Sequence, residues 1–453
     1  MNPRRTRVLK RLSIIFLCLF LVWAVFLWLS WVRLQRAYAA LEKADRPMKI
    51  EQIIPKPIPD SENAAVLYQE AFKLLESEKV GEEDVIRYTG KLLFDYTVAT
   101  VPKEKLDELR PVLQLHAVAQ AVSLVAGGEK RPGCGFHLDY RLGAEMTVQP
   151  VIVMMRGISR LLALKARLET VDGESEQAWT TIVAALKLAD SLRDEPTLVC
   201  QLVRIAQFGL TVQAIQRLGD CSLPADEQAV AVDRLLTGFD NLRPLVNGMD
   251  GDRLIVGEAC FSGPPRAYAF SVLRDLRCRL GKPTGERFLS VPLAGPLMPL
   301  RNADHATYLD VMRQGAEMAG TPYYRCDLVR ESAIESRIRR WLPIAHSLAP
   351  GVLAVKARHT TMQAQVAVTR VGLALKRHKR AHGTYPTDLT TIDPAIMKDV
   401  PVDPFSGKPL IYRAEKGEGF VLYSVGENRK DDGGKPESGV GRRDGDIVWQ
   451  IPK

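Results

Sequence analysis

Residues 12–32 read LSIIFLCLFLVWAVFLWLSWV, twenty-one positions without a charged side chain. At 1.5 Å of rise per residue, a helix of that length is about 31 Å long, the thickness of a bilayer's hydrocarbon core. Trp28 and Trp31 lie near one end, where indole rings favour the membrane–water boundary, and Arg33 closes the run. A cleavable signal peptide has a shorter apolar stretch, roughly 7–15 residues. Ala37-Tyr38-Ala39 has the look of a cleavage site, but Arg33 and Arg36 stand between it and the apolar run. The sequence therefore predicts an uncleaved signal-anchor, a single transmembrane helix over 12–32.

Working outward, residues 1–11 form a basic tail with Arg4, Arg5, Arg7, Lys10 and Arg11. Arg33, Arg36, Lys43, Arg46 and Lys49 follow the span, so the basic residues that orient a membrane helix favour neither side strongly. We expect the N-terminus in the cytoplasm and the bulk of the chain beyond the membrane, an orientation that rests on the C-terminal resemblance below. Outside the tail the +9 net charge disappears: residues 361–453 carry fifteen basic and twelve acidic groups, and the other 349 residues hold 42 and 41. A nucleic-acid footprint needs basic groups gathered on a folded face. The one dense run, Lys376-Arg377-His378-Lys379-Arg380, reads as the solvated last turn of a helix, where cations suit the dipole. No nucleic-acid partner is expected. With 46% hydrophobic and 25% charged residues the chain is globular rather than disordered.

Residues 33–60 read as a linker. Pro55, Pro57 and Pro59 each remove an N–H donor and exclude a helix interior. Asp60 or Ser61 is placed to cap a helix from near Glu62, on which Leu67, Ala71, Leu74 and Leu75 share one face. Ile158, Leu161, Leu162 and Ala166 form a second stripe, Gly173 breaks it, and Ala178, Ile182, Ala185, Leu186 and Ala189 form a third. Two apolar-faced helices joined at Gly173 predict a hairpin that further helices must cover. After Glu195-Pro196 the pattern restarts over Leu198–Leu218. Leu161–Leu192 resembles one tetratricopeptide-type helix pair, and such arrays present grooves to protein partners. Residues 283–301 are apolar and rich in Pro and Gly, a loop expected to lie buried or against the lipid surface. Six cysteines lie outside the span, Cys134, Cys200, Cys221, Cys260, Cys278 and Cys326. Any disulfide among them has fifteen complete pairing schemes to choose from.

From about residue 361 the pattern changes. Ala364, Val368, Val371 and Leu375 keep helical spacing up to a stop at Gly383. Short alternating strands follow at Leu410–Arg413, Phe420–Ser424 and Ile447–Ile451, the first two joined through Glu415–Gly419 as a hairpin. The order of pieces is His382-Gly383-Thr384-Tyr385-Pro386, then Asp403-Pro404-Phe405-Ser406-Gly407-Lys408-Pro409, Leu422-Tyr423-Ser424-Val425-Gly426 and Asp444-Gly445-Asp446-Ile447. It resembles the C-terminal domain of the major (G-type) pseudopilin of bacterial type II secretion systems. The resemblance implies an inner-membrane protein with a periplasmic bulk. It also implies calcium, held in that family between the last strands. The positions here are Asn428, Asp431, Asp432, Asp444 and Asp446, whose side-chain oxygens are the hard donors calcium takes. The N-terminus lacks the Gly-Phe-Thr-Leu-x-Glu processing site of pseudopilins, and about 320 residues separate span from domain. The reading is a pseudopilin-like unit carried on a different membrane protein.

Catalytic entry points are missing from the sequence: Gly-x-Ser-x-Gly, His-Glu-x-x-His, the P-loop pattern and Gly-x-Gly-x-x-Gly do not occur. His378 and His382 alone stand four apart on a helical face, among cations. The expected architecture is mainly α: a tail (1–11), a transmembrane helix (12–32), a linker (33–60), an extracytoplasmic irregular α-helical array (61–355), and a small α+β domain (356–453), a long helix on a three-stranded antiparallel sheet. The expected role is structural or binding. The alternative is a membrane-anchored hydrolase with its site in the helical body, which a deep cleft of converging ionisable groups would favour.

Overall fold

A computed structural model of the chain describes residues 3–77, 103–140, 150–263, 268, 295–327, 333, 342–348, 351–415, 419–436 and 444–449. The fold is mainly helical with a small C-terminal sheet, as the sequence predicts. The helices are α1 (Pro3–Lys43), α2 (Ala64–Ser77), α3 (Lys103–Gln114), α4 (His116–Gly128), α5 (Pro150–Val171), α6 (Ser175–Asp190), α7 (Leu198–Cys221), α8 (Asp226–Thr237), α9 (Arg243–Asp252), α10 (Glu258–Ser262), α11 (Met298–Ala319), α12 (Pro343–Leu348) and α13 (Gly351–His382). A single π-helical turn, Arg253–Gly257, joins α9 to α10. The strands are β1 (Ile411–Ala414), β2 (Phe420–Ser424) and β3 (Ile447–Val448).

The expected linker is partly wrong. α1 does not end at Arg33 but continues unbroken to Lys43. The cause lies in its own spacing: Trp23, Leu27, Ser30, Leu34, Ala37 and Leu41 recur every three or four residues, and all six are at least partly covered by protein. Leu41 is fully buried with Leu309, Met312 and Ala316 of α11 in one core. Tertiary packing thus extends the helix past its charged residues. The outward face from Leu12 to Trp31 stays bare; Phe16 is 72% exposed. The start of α2 also shifts. Neither Asp60 nor Ser61 caps it; Asn63 does, its Oδ1 accepting from Ala65 N and from Gly135 N.

The hairpin at Gly173 forms as the spacing predicts. Gly173 takes φ +81°, a left-handed turn, and α5 and α6 fold back on each other. α7 begins where Thr197 caps it, its hydroxyl accepting from Cys200 N. Trp179, Phe208, Phe239 and Leu218 then close one core with α8 and α13. A second core gathers α2, α4 and α5 around Tyr68, Phe136 and Leu161. Of the apolar 283–301 stretch, 283–294 lie outside the described residues and 298–301 open α11.

The strands sit one residue from the predicted positions at β1, and β3 is two residues long. Ile411 pairs with Tyr423, and Tyr423 with Val448, giving the antiparallel order β1-β2-β3. The expected boundary at 355/356 falls inside α13. Val355 packs in the α1–α11 core, whereas Val366, Val371 and Leu375 pack with α7, Leu422 and Trp449. Trp449 lies so close that a Cβ added at Gly372 would stand 2.2 Å from its ring. The basic run ending α13 is not simply solvated: Lys376 pairs with Asp220 and Arg377 with Asp226, binding the helix end to the array.

Candidate functional site

Three places concentrate polar chemistry. The first is the C-terminal loop. Asp431 Oδ1 accepts from the Tyr423 hydroxyl at 2.9 Å and from Gly433 N at 2.9 Å. Asn428 turns its Nδ2 to Asp432 Oδ2 at 2.8 Å, while its Oδ1 accepts from Lys430 N. Asp446 is buried and receives Asp432 N at 3.3 Å and Gly434 N at 2.7 Å, one on each oxygen. Burial raises its pKa, those N–H groups oppose the rise, and the neighbouring Asp432 and Asp431 charges add to it. Asp444 is exposed. Asp431, Asp432 and Asp446 are therefore near neighbours, and each accepts at least one N–H or O–H donor within the loop. Among the described residues no three His, Cys, Asp or Glu side chains form a group able to hold a metal ion. As arranged, the loop closes partly on itself through these bonds. Arg429 leaves the loop altogether, donating to Tyr323 O at 2.8 Å.

Asp403 is the anchor of this unit, a role the sequence reading did not assign. It is 1% exposed and accepts from Phe405 N, Ser406 Oγ, Ser424 Oγ and Val425 N at 2.8–3.1 Å. One carboxylate thereby ties the Asp403–Pro409 turn to the end of β2. The signal was present in the spacing, an Asp heading a Pro-Phe-Ser-Gly turn, but its target lies some twenty residues away. His378 and His382 do meet, ring centroids 4.4 Å apart, with Asp393 accepting or sharing a proton at His382 Nε2, 3.1 Å away.

The second place is the seam between α1 and α11. The Tyr38 hydroxyl stands 3.1 and 3.3 Å from the Glu258 carboxylate and 3.4 Å from His305 Nε2. His305 Nε2 is 3.5 Å from Glu258 Oε1, and its ring lies flat on Phe261 at 4.1 Å. Burial works to raise the Glu258 pKa, but the His305 and Tyr38 bonds and the Arg253 charge outweigh it, so the carboxyl sits below its ordinary value. The neighbouring Asp304 is fully buried, accepting from Tyr268 Oη and from the first N–H groups of α12, Ile344 and Ala345. Three helices far apart in sequence supply this cluster, so no local spacing announces it. A Tyr–Glu–His set can relay a proton. Among the described residues, however, no serine, threonine or cysteine is hydrogen-bonded to His305, and its ring is enclosed between Phe261 and Tyr38.

The third is a cleft between α5 and α7 lined by Arg167, Thr170, Gln213 and Arg217 over a floor of Ala163, Ala166 and Ala214. Burial and then the Arg217 charge push the Arg167 pKa down. Arg167 Nε and Gln213 Oε1 are buried without a hydrogen-bond partner among the described residues. The six described cysteines are all free thiols.

No protein-family model, no curated protein and no solved structure matches the chain.

Proposed function

We propose that this is a single-pass membrane protein whose N-terminal helix carries a helical body, that the body lies on the extracytoplasmic side, and that it acts by binding rather than by catalysis. One observation supports this most: α1 is a single helix with two environments. Its outer face from Leu12 to Trp31 is bare hydrocarbon, and its Leu34, Ala37, Tyr38 and Leu41 are built into the body's core. A helix of this kind anchors the body without a flexible joint. The bacterial inner membrane and the pseudopilin-like character of 356–453 come from the sequence resemblance alone. The cationic α5–α7 cleft is the surface we assign to a protein partner. It pairs two arginines with no carboxylate partner among the described residues, and so suits an acidic segment.

The test is topological. Full-length protein should stay in the membrane fraction after carbonate washing, and protease added to spheroplasts should digest the body. Release by carbonate, or a protected body, overturns the anchor or the orientation respectively. The calcium implied by the resemblance would share the Asp431 and Asp446 carboxylates with the N–H groups they already accept; calorimetry of the full chain without calcium-dependent heat removes it. The Tyr38–Glu258–His305 cluster favours a second reading, the anchored hydrolase. That reading requires that His305→Gln abolish a hydrolytic activity in purified protein while leaving its circular dichroism unchanged.

A further inference from the structure

The seam between α1 and α11 fixes where α11 begins relative to the span. Trp23 Nε1 donates to Pro296 O at 3.2 Å. Farther along, Arg33 Nη2 donates to Thr307 Oγ1 at 3.0 Å. The two helices therefore run in the same direction, with the chain at 296 level with Trp23. Trp23 lies nine residues before Val32, the last residue of the apolar run. Nine residues of helix are about 13 Å, close to half of a hydrocarbon core about 30 Å thick.

We propose that Gly295–Leu300 is a second membrane-inserted element, packed against the C-terminal half of the α1 span with its open side occupied by lipid hydrocarbon. This rests on the anchor reading above. Three further observations fit it. The six residues, Gly-Pro-Leu-Met-Pro-Leu, carry no charge. The first charge, Arg301, turns its guanidinium into protein, to the carbonyls of Phe261 and Gly263. Part of the backbone also meets the demand that lipid makes, that polar groups be satisfied internally. Pro296 and Pro299 have no N–H; Met298 N bonds to Gly295 O and Arg301 N to Leu297 O, and the Pro296 carbonyl is taken by the indole. Gly295 and Pro296 are exposed, and Leu297 through Leu300 are half-covered. On α1, Phe20, Phe26 and Leu29, within two turns of Trp23, are bare as well, so both helices present apolar surface at this level. The protein then enters the bilayer at two places, one spanning and one dipping to about mid-depth.

The experiment uses the full-length chain reconstituted in phosphatidylcholine–phosphatidylglycerol vesicles. In a cysteine-free background, fluorophores are placed singly at Leu297→Cys, at Phe16→Cys in the span, and at Asp226→Cys on the exposed surface. Quenching by nitroxide carried on lipid tails is compared with quenching by aqueous iodide. We expect position 297 to follow position 16, with lipid quenching several-fold stronger than iodide quenching. Position 297 following 226 while 16 remains in lipid overturns the inference and leaves the anchor standing; position 16 in water overturns the anchor itself. Shielding of 297 from both quenchers shows protein, not lipid, on that side and also overturns it. Should the cysteine-free chain lose its circular-dichroism spectrum, the wild-type protein supplies the readout. Met298 and Met318 lie at opposite ends of α11 and are both half-covered. In vesicles, oxidation of Met298 by aqueous chloramine-T should be at least fivefold slower than that of Met318, and equal rates refute the insertion.

Discussion

Two helices of this chain, α1 and α7, are each long and apolar enough to cross a bilayer, yet they end in opposite environments. The apolar window of α1 is 0% buried within the protein, and that of α7 is 56% buried. The difference lies in what interrupts them. Residues 12–32 carry no charged, amide or carboxyl side chain; the Ser30 hydroxyl donates to Leu27 O one turn back, and the Trp23 indole donates to Pro296 O. α7 carries Gln201, Arg204 and Gln207 along its length, and the body bonds one nitrogen of each, while Arg204 Nε and Gln207 Oε1 stay buried without a partner among the described residues. Gln201 Nε2 donates to the carbonyls of Leu192, Arg193 and Glu195. Arg204 pairs with Asp190 at 2.9 Å and lies over the Phe208 and Phe239 rings. Gln207 Nε2 donates to Met155 O. Hydropathy alone treats the two helices alike; the polar residues and their partners separate them, since an unsatisfied polar group costs several kcal/mol in hydrocarbon.

The largest effect should come from breaking the knot that makes α7 a protein-buried helix. Arg204→Ala leaves Asp190 with only the half-exposed Arg193 and opens a space between two phenyl rings. It should destabilise the body by about 4 kcal/mol, read as the shift in urea denaturation of the detergent-solubilised chain by circular dichroism. A loss under about 1 kcal/mol would mean the pair is not what holds α7 in the body. Next comes the opposite manipulation on α1. Leu19→Arg places a charge in the middle of the span and should cost about 3 kcal/mol of insertion. Carbonate-resistant protein should fall accordingly, while the unfolding curve of the solubilised body should not move. If the body unfolds instead, the bare half of α1 has a protein partner.

A smaller effect concerns pH. His359 is buried and stacked on Phe239 at 4.8 Å, next to the Arg204 knot. Burial first, then the Lys356 and Arg204 charges, push its pKa from 6.5 down to about 3. In the folded state it stays neutral, while the unfolded chain takes up a proton below 6.5. Stability is therefore complete above pH 6.5 and falls as the pH drops towards 3. His359→Phe should remove on the order of 2 kcal/mol of that loss between pH 6.5 and 4. Parallel wild-type and variant stability curves over that interval would refute the assignment.

What could be read from the sequence is what short-range spacing encodes. The Gly173 hairpin, the restart of the helix at Leu198, the stop at Gly383 and the three strands each follow from residues within a turn or two of one another. The failures share the opposite property. The helix through 33–43 reads as linker in sequence because Arg33 and Arg36 hide a stripe, Leu34, Ala37 and Leu41, whose covering helix lies some 270 residues later. Asn63 displaced Asp60 and Ser61 as the cap because its amide also reaches the backbone at Gly135. The Tyr38–Glu258–His305 cluster draws on positions that no window of sequence holds together. The acidic loop is the reverse case: its side chains lie close in sequence, but which lone pairs remain free depends on hydrogens from Tyr423, Gly433 and Gly434.

The unbroken passage of α1 from bare span to buried core has a mechanical corollary. With no hinge between the two halves, the body cannot pivot independently of the rod that holds it. A helix longer than the local hydrocarbon thickness answers by tilting, and here any such tilt must swing the whole body through the same angle. Thinning or thickening of the surrounding bilayer would then be transmitted as a change in the attitude of the α5–α7 cleft, with α1 acting as a lever.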